Sequence, residues 1–264
     1  MFIQYFCICI VSLVLLGGLI TFAIVNIAGE SPFMKECKNT CDLNTCFLCN
    51  NCLPEWKPAV GGSRKNFEVK KGEQIFKEGD LATGIYFIYK GAVKVHKRWD
   101  KEKDLIIRFA KTGDMLGHLG MGKDRVFPVT ATAIEPVVVC YMDMDFFESS
   151  LKVNTGFTYK LMRFFADELQ ESEKRMRNLA HMSVKARIAQ AFLALKEKFG
   201  ANDQGEISVE ITQQDISSYA GVSYETLFKV NQELKRLKII EIQGKSIFVK
   251  QQESLLQIVK EDNL

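Results

Sequence analysis

The stretch that decides the fold of this chain is TQQDISSYAGVSYETLFKVNQELKRLKIIEIQGKSIFV, residues 212–249. Thr212 is a good N-cap for a first helix, and Asp215, three residues later, completes a conservative variant of the capping box. Gly221 can adopt the positive φ that ends a helix and turns the chain sharply. Ser223 then caps a second helix, so the stretch predicts a helix-turn-helix.

The second helix and the residues after it extend this pattern. Apolar residues recur along the helix at three- and four-residue spacing: Leu227, Val230, Leu234 and Leu237. Residues 239–242 and 246–249 are rich in isoleucine and valine and flank Gly244, which predicts a small hairpin wing. A wing at this point favours DNA binding, although small helical domains of other kinds can carry the same glycine turn.

The solvent face of the second helix supplies the candidate DNA-binding residues. Short hydrogen-bonding groups come first and cations later, which is the order needed to read base edges and then hold phosphates. These residues are Ser223, Tyr224, Glu225, Thr226, Lys229, Lys235 and Arg236. Residues 223–238 carry four cations against two carboxylates, so the segment is mildly basic.

Composition sets wider bounds on the protein. A length of 264 residues suggests roughly two domains, and a hydrophobic content of 47% is enough to build their cores. The net charge of +3 is too small by itself to identify a nucleic-acid-binding protein. No nucleophile–base pair or phosphate-binding loop stands out, so we predict that the protein is not an enzyme.

Residues 1–30 form an apolar segment whose first charged side chain is Glu30. As a helix, residues 5–25 would span about 31 Å, close to the thickness of a bilayer core. Cations follow this segment and none precedes it, so a spanning helix would tether cytoplasmic functional domains to the inner face of the cell membrane. A cleaved signal peptide fits less well because a basic region is missing. The alternative is that Met34 is the true start of the protein.

Residues 34–58 form a Cys-rich segment. Five of the eight cysteines of the chain lie in it: Cys37, Cys41, Cys46, Cys49 and Cys52. The last three are spaced C-x2-C-x2-C, which is tight enough for three thiolates to face one metal centre. An iron–sulfur cluster completed by a distant cysteine and a closed zinc site are the metal alternatives, and reduced thiols without a metal are the third.

Residues 66–150 have the sequence pattern of a β domain. Short β-branched and aromatic runs alternate with glycine turns at about ten-residue spacing, which predicts a sandwich or a rolled barrel. The runs are residues 74–76, 84–89, 92–96, 105–109 and 137–142.

Residues 151–181 change to a helical period. An a/d seam of about three heptads predicts a helix that pairs with the same helix of a second copy, while packing on its own β domain is the alternative. The seam residues are Met162, Phe165, Leu169, Met176 and Leu179. Residues 182–250 then hold the winged helix-turn-helix domain, and residues 251–264 are expected to form a C-terminal tail.

This order of elements resembles the Crp/Fnr family of bacterial transcription regulators over about residues 66–249. The motifs that carry the resemblance are KKGEQIFKEGD at 70–80, IYFIYKGAVKV at 85–95, GDMLGHLG at 113–120 and the helix-turn-helix at 212–240. The resemblance implies an α+β fold. After the apolar N-terminal helix and the Cys-rich segment come a double-stranded β-helix (jelly-roll) sensor domain, a long dimerisation helix and a C-terminal winged helix-turn-helix. It also implies a homodimer that binds double-stranded DNA, with RNA polymerase as a further partner.

The recognition helix of this family usually reads Ser/Thr-x-Glu-Thr-hydrophobic-x-Arg, and residues 223–229 follow that pattern. The base-contacting glutamate of the family maps onto Glu225, which could accept a hydrogen bond from cytosine N4. The arginine of the family is Lys229 in this chain. Lysine lacks the planar two-pronged donor, so its contact with a guanine would be less strict.

The effector pocket departs from the cyclic-nucleotide-binding members of the family. Their Gly-Glu pair, whose carboxylate holds the ribose, is Gly117 and His118 in this chain, and Arg125 precedes a valine instead of Ser or Thr. Without that carboxylate the ribose hydroxyl loses its charged acceptor. We therefore predict that cAMP is not bound, and we interpret His118 as a buried side chain of the β-roll rather than a ligand.

The cysteines are similar to those of the oxygen-sensing branch of the family, the fumarate and nitrate reduction regulators. That branch holds a [4Fe-4S] cluster on three N-terminal cysteines and one β-roll cysteine. The corresponding positions are Cys46, Cys49, Cys52 and Cys140. The spacing within the N-terminal set differs, at two and two residues instead of two and five, so Cys37 and Cys41 are alternate ligands. Zinc is the alternative metal.

Together these features predict a regulator that reads a palindromic operator as a homodimer and senses a redox or small-molecule signal through its β-roll or its cysteines. The alternative is a membrane-anchored ligand-sensing protein that signals to a protein partner without sequence-specific DNA binding. The intact recognition-helix motif and the wing favour the first interpretation.

Overall fold

A computed structural model of the protein describes residues 34–37, 41–98 and 104–262. The predicted membrane helix at residues 5–25 lies outside these ranges. Among the described residues, no helix combines the length and the apolar composition that a membrane crossing requires.

The Cys-rich segment packs onto one end of a β-roll. It contains a short strand and two short helices: β1 (Lys35–Glu36), α1 (Phe47–Asn51) and α2 (Lys57–Ser63). Strand β1 pairs antiparallel with β2 (Lys65–Val69), the first strand of the roll. Leu48 of α1 is fully buried in the same core as the roll, so the segment is part of the sensor domain rather than a separate unit.

The sensor domain is the predicted jelly roll, built from two antiparallel sheets. The remaining strands are β3 (Gln74–Phe76), β4 (Gly84–Lys90), β5 (Ala92–Arg98), β6 (Asp104–Lys111), β7 (Met115–Leu116), β8 (Thr130–Ala133) and β9 (Val137–Asp143). One sheet has the order β1-β2-β9-β4-β7 and the other β3-β8-β5-β6, with the core between them. All five predicted runs form strands; β2, β7 and β8 were not anticipated.

Two helices follow the roll where one was predicted. Helix α3 (Met144–Val153) ends before Asn154, and α4 (Thr155–His181) begins after it. The Asn154 side chain accepts from the amide of Leu53 at 2.8 Å, so the break also holds the Cys-rich segment. Only Phe157 and Leu161 of α4 are buried.

Most of the predicted seam of α4 faces solvent in the single chain. Met162, Leu169 and Met176 are 59%, 61% and 66% exposed. A helix packed only on its own β domain would cover these side chains, so the exposed stripe favours pairing with a second copy.

The C-terminal domain has the predicted winged helix-turn-helix with one added helix. Its elements are α5 (Val184–Phe199), α6 (Gln213–Ala220), α7 (Tyr224–Arg236), β10 (Ile240–Gln243), β11 (Ser246–Val249) and α8 (Gln252–Glu261). The expected C-terminal tail is thus mostly helical. Helix α8 packs against α5 and buries Leu255 completely, because the apolar residues of α8 recur at helical spacing.

Arg175 of α4 joins the sensor and DNA-binding domains. Its guanidinium donates to the backbone carbonyls of Ile106 and Ile107 in β6 and to that of Tyr219 at the end of α6. It also lies 4.2 Å from the centre of the Tyr219 ring, a cation–π contact. A second link joins Lys94 Nζ of β5 to Asp215 Oδ1 at 2.6 Å. The first helix of the helix-turn-helix is therefore held directly against the β-roll.

Candidate functional site

The turn of the helix-turn-helix forms as its sequence predicts. Thr212 Oγ1 accepts from the amide of Asp215 at 3.0 Å and donates to its carboxylate, which closes the capping box. Gly221 ends α6 with a φ of 64°. A Cβ at this glycine would lie 2.7 Å from Leu179 Cδ2, the end of a side chain that can move, so it is the left-handed backbone conformation that requires glycine.

Two polar pairs fix the start and the angle of the recognition helix α7. Ser223 Oγ accepts from the amide of Thr226 at 3.2 Å, and the two hydroxyl oxygens lie 3.0 Å apart. Buried Asn231 donates to Gln213 Oε1 of α6 at 2.7 Å. The hydroxyls of Ser223 and Thr226 are thus already engaged in capping, while Asn231 ties the two helices together.

The predicted DNA-facing side chains lie together on the solvent face of α7. Exposed side chains among them are Tyr224, Glu225, Lys229, Lys235 and Arg236. The opposite face is buried through Leu227, Asn231 and Leu234. Leu237, expected in the core, is 48% exposed because the helix ends at Arg236.

Two side chains on the same face were missed from the sequence. Phe228 is 55% exposed and Gln232 is also exposed, one turn and two turns after Tyr224. Selecting for polar groups excluded Phe228, and the signal that finds it is the i, i+4 spacing from Tyr224. Glu225, Phe228, Lys229 and Gln232 form one continuous patch on the helix surface.

Glu225 is held in its ionised form. Its own backbone amide, the Ser223 hydroxyl and the nearby charge of Lys229 lower the pKa of this carboxyl. An ionised carboxylate accepts hydrogen bonds only, which suits the exocyclic amine of cytosine in the major groove.

Aromatic rings fill the interior of the β-roll beside Gly117 and His118. The rings of Phe76 and Phe127 stack with centroids 4.0 Å apart, and Tyr86 packs against both. In the described part of the roll, the cavity next to these rings has a volume of about 10 Å³. Ligand pockets usually enclose about 300–1,000 Å³, so this cavity is much smaller than a ligand pocket as the rings are packed here.

The three predicted effector-pocket residues are not brought together. Gly117 and His118 line the small cavity, whereas Arg125 does not, and its guanidinium pairs with Glu148 of α3 at 2.7 Å. His118 is 2% exposed and its ring meets the edges of Phe164 and Phe165 of α4.

His118 is electrically neutral in this position. Burial lowers its pKa, and the nearby carboxylate of Glu168 only partly opposes that effect. Its Nε2 lies 3.7 Å from Glu168 Oε2, too far for a hydrogen bond, and neither ring nitrogen has a hydrogen-bond partner among the described residues.

Four thiols meet where the Cys-rich segment covers β9. Cys41 lies near Cys140 and Cys49, whose thiols influence its ionisation, and Cys46 Sγ accepts from the amide of Cys49 at 3.4 Å. All four are at most 8% exposed. Cys52 lies outside this chain of contacts, with its sulfur 3.9 Å from the Cys49 carbonyl, and Cys37 is only half-buried.

The pKa values of the clustered thiols are shifted in opposite directions. Hydrogen bonds from Cys140 and Cys49 lower the pKa of Cys41 to about 3, while the same bonds raise the pKa values of the two donors. Cys140 Sγ is also 3.2 Å from Asn66 Oδ1. Within the described ranges no three or more His, Cys, Asp or Glu side chains are already arranged around one metal position.

Both domains are similar to known protein families. Residues 66–154 match the family model of the cyclic nucleotide-binding domain, and residues 186–258 match that of the Crp-like helix-turn-helix domain. The cAMP-activated global transcriptional regulator CRP of Salmonella typhimurium is 31% identical over 180 residues, which span 66% of this chain and 84% of that protein. The transcriptional activator protein FnrA of Stutzerimonas stutzeri is 24% identical over 181 residues, 68% of this chain and 74% of that protein.

Among solved structures, FixK2 from Bradyrhizobium japonicum shares the fold, with a TM-score of 0.66 at 22% identity. The match covers 74% of this chain and 96% of that one. The two matched domains lie in the same order as the β-roll and the helix-turn-helix described above. The chain belongs to the Crp/Fnr family of DNA-binding transcription regulators.

Proposed function

We propose that the protein reads a palindromic operator as a homodimer, with the exposed face of α7 in the major groove of each half-site. The observation that carries this proposal is the position of Glu225 and Lys229 next to each other on a solvent-facing surface. Lys235 and Arg236 follow one to two turns later, where cations can hold phosphates. The Ser223 cap supplies the fixed angle at which α7 leaves the turn.

We expect the exposed stripe of α4 to form the contact between the two copies of the homodimer. Pairing of Met162, Leu169 and Met176 with the same residues of a second copy would bury a stripe that the single chain leaves open. Two recognition helices would then lie about 34 Å apart, one turn of the duplex. RNA polymerase, by analogy with the family, is the expected protein partner on the DNA.

Selection from a randomised duplex pool, followed by mobility shifts at several salt concentrations, tests this function. We expect a palindromic site and a steep loss of affinity with salt, since phosphate contacts release counterions. Leu169→Lys should yield a monomer by sedimentation and lose operator binding. Leu81→Lys, at an apolar side chain of the β-roll that is 64% exposed, is the matched control and should leave both unchanged. A wild-type monomer, or a chain that binds no duplex in either redox state, contradicts the proposal.

The buried thiols are the proposed entry point of the signal. Their donor type fits an iron–sulfur cluster or zinc, because buried cysteines from two separate parts of the chain converge. The contacts favour Cys41, Cys46, Cys49 and Cys140 as the set, with Cys52 as the outlying thiol. A bound cluster would supply oxygen-sensitive redox chemistry. The protein's own contribution is to tie residues 41–49 to β9, the strand that runs beside β4 in the core.

Metal analysis of protein purified without oxygen tests this part. We expect iron and inorganic sulfide with a visible absorbance band, and loss of that band in Cys41→Ser. Cys52→Ser is the matched control and should keep it. Zinc without sulfide would identify the closed zinc site instead. Absence of both metals would remove the thiols from the sensing role.

A small-molecule signal has one specific observation in its favour. A second cavity, of about 960 Å³, lies between α4, β6, α5 and α6. Its lining carries six cations, among them Arg108, Arg175 and Lys198, against three carboxylates, so it would favour an anionic, partly apolar ligand. Arg175→Met should then abolish any ligand-dependent rise in Tm, measured by screening organic anions against the full chain.

A further inference from the structure

The recognition helix exposes two aromatic rings that the fold does not use. Tyr224 is 46% and Phe228 is 55% exposed, one helical turn apart on α7. Among the described residues neither ring stacks on another aromatic ring, and neither belongs to the core of the C-terminal domain. Burying an apolar ring is favourable, so the open Phe228 offers apolar surface to whatever binds the recognition helix.

The surroundings of Phe228 identify the partner as DNA. Glu225 and Lys229 lie on either side of it along the same face, and Gln232 follows one turn later. A hydrophobic protein surface that covered Phe228 would also remove the charges of Glu225 and Lys229 from water without partners. Base edges in a major groove would instead give both of them hydrogen-bond partners.

The major groove offers one apolar group to such a ring. Thymine carries a methyl group at C5, whereas the other bases present only hydrogen-bond donors and acceptors there. We propose that Phe228 is a specificity-determining residue that selects a thymine in each half-site by contacting this methyl group. Tyr224 extends the apolar surface on the same side of the helix, and its hydroxyl is left for a phosphate or water. This inference rests on the proposed DNA-binding function and adds a base preference to it.

Deoxyuridine provides a direct test, because it differs from thymidine only by the methyl group. With the operator selected by the full-length chain, each thymidine is replaced in both half-sites and the affinity is measured by fluorescence anisotropy. We expect one symmetric pair of positions at which the change weakens binding about fourfold for each half-site. At that pair, a cytosine should bind poorly, and methylating its C5 should restore part of the affinity.

Two variants assign the effect to the ring. Phe228→Ala should bind thymidine and deoxyuridine operators equally, with unchanged Tm because the side chain is exposed. Leu237→Ala removes another exposed apolar side chain just beyond α7 and should keep the full discrimination. Phe228→Ala with wild-type affinity for both operators would assign the ring to a protein partner and overturn the proposal. If the selected operator binds tightly but no thymine methyl affects the affinity, the Phe228 proposal is wrong and the DNA-binding function stands. If the chain binds no duplex, both are wrong.

Discussion

The β-roll and the recognition helix α7 place aromatic side chains in opposite environments. In the β-roll, Phe76 and Phe127 turn inward and stack, which leaves about 10 Å³ of free space. On α7, Phe228 stays open to solvent beside the residues that would read bases. The stacked rings leave a small cavity in the β-roll, whereas α7 keeps an aromatic ring open beside the predicted DNA-binding residues. The two regions therefore differ in what they offer a partner, a filled interior in one and an open surface in the other.

Removing one of the stacked rings inside the β-roll should have the largest effect on stability. Phe76→Ala removes a ring that is 4% exposed and stacked on Phe127, so we expect a loss of about 3–5 kcal/mol in the free energy of unfolding. Urea denaturation measures it. Leu81→Ala in the same domain, 64% exposed, should change the free energy of unfolding by less than about 0.5 kcal/mol. Equal losses in both variants would mean that the rings do not fill the roll.

Removing single cations from the exposed face of α7 should weaken DNA binding by about 1–3 kcal/mol. Lys229→Ala should lower discrimination at one base pair in each half-site, because it lies beside Glu225 near the start of α7. Lys235→Ala and Arg236→Ala should weaken binding to all sequences alike and reduce the salt slope. Affinities for a set of single-base operator variants separate the two outcomes. The same loss on every sequence from all three changes would contradict the assignment.

Acid should weaken the closed end of the molecule through His118. Because burial lowers its pKa in the folded protein, the unfolded chain takes up the proton first as the pH falls below about 6.5. The stability that neutral His118 contributes is therefore present above that pH and lost below it, by at most about 1.4 kcal/mol per pH unit. Urea midpoints from pH 8 to 5 should fall less steeply for His118→Gln. Burial also lowers the pKa of His96, so part of the dependence should persist.

The smallest expected effect is that of cAMP on the wild-type chain. A ligand at a hundred times its Kd would add about 2.7 kcal/mol to stability, and we expect no change in Tm at millimolar cAMP. A saturable rise in Tm would show that the stacked rings open to admit the nucleotide. The control is a known cAMP-binding member of the family under the same conditions.

The local features of the fold could be predicted from sequence, and the tertiary ones could not. Thr212, Gly221 and Ser223 act on their own backbone neighbours, so caps and turn follow from residue type and spacing. The grouping of thiols depends on how residues 41–52 pack on β9, which spacing does not reveal. Sequence spacing indicated Cys46, Cys49 and Cys52 with Cys140, and this ligand set stays a prediction, with Cys41, which lies near Cys140, as an alternate.

The same distinction explains the other differences between prediction and structure. At the break between α3 and α4, Asn154 contacts Leu53, a residue about one hundred positions earlier in the chain, and sequence spacing does not reveal such a contact. Helix α8 was read as a tail because its apolar residues gain a partner only once α5 is in place. Phe228 was passed over because an apolar side chain on a predicted helix is normally assigned to a core.

The link made by Arg175 has a consequence for how this molecule can change over time. Every hydrogen bond that its guanidinium makes across the domain boundary ends on a main-chain oxygen. Main-chain oxygens persist whatever side chains occupy positions 106, 107 and 219. Substitutions at the receiving positions therefore leave these three hydrogen bonds in place, and among the Arg175 contacts described here the cation–π contact is the one that depends on the side chain of Tyr219.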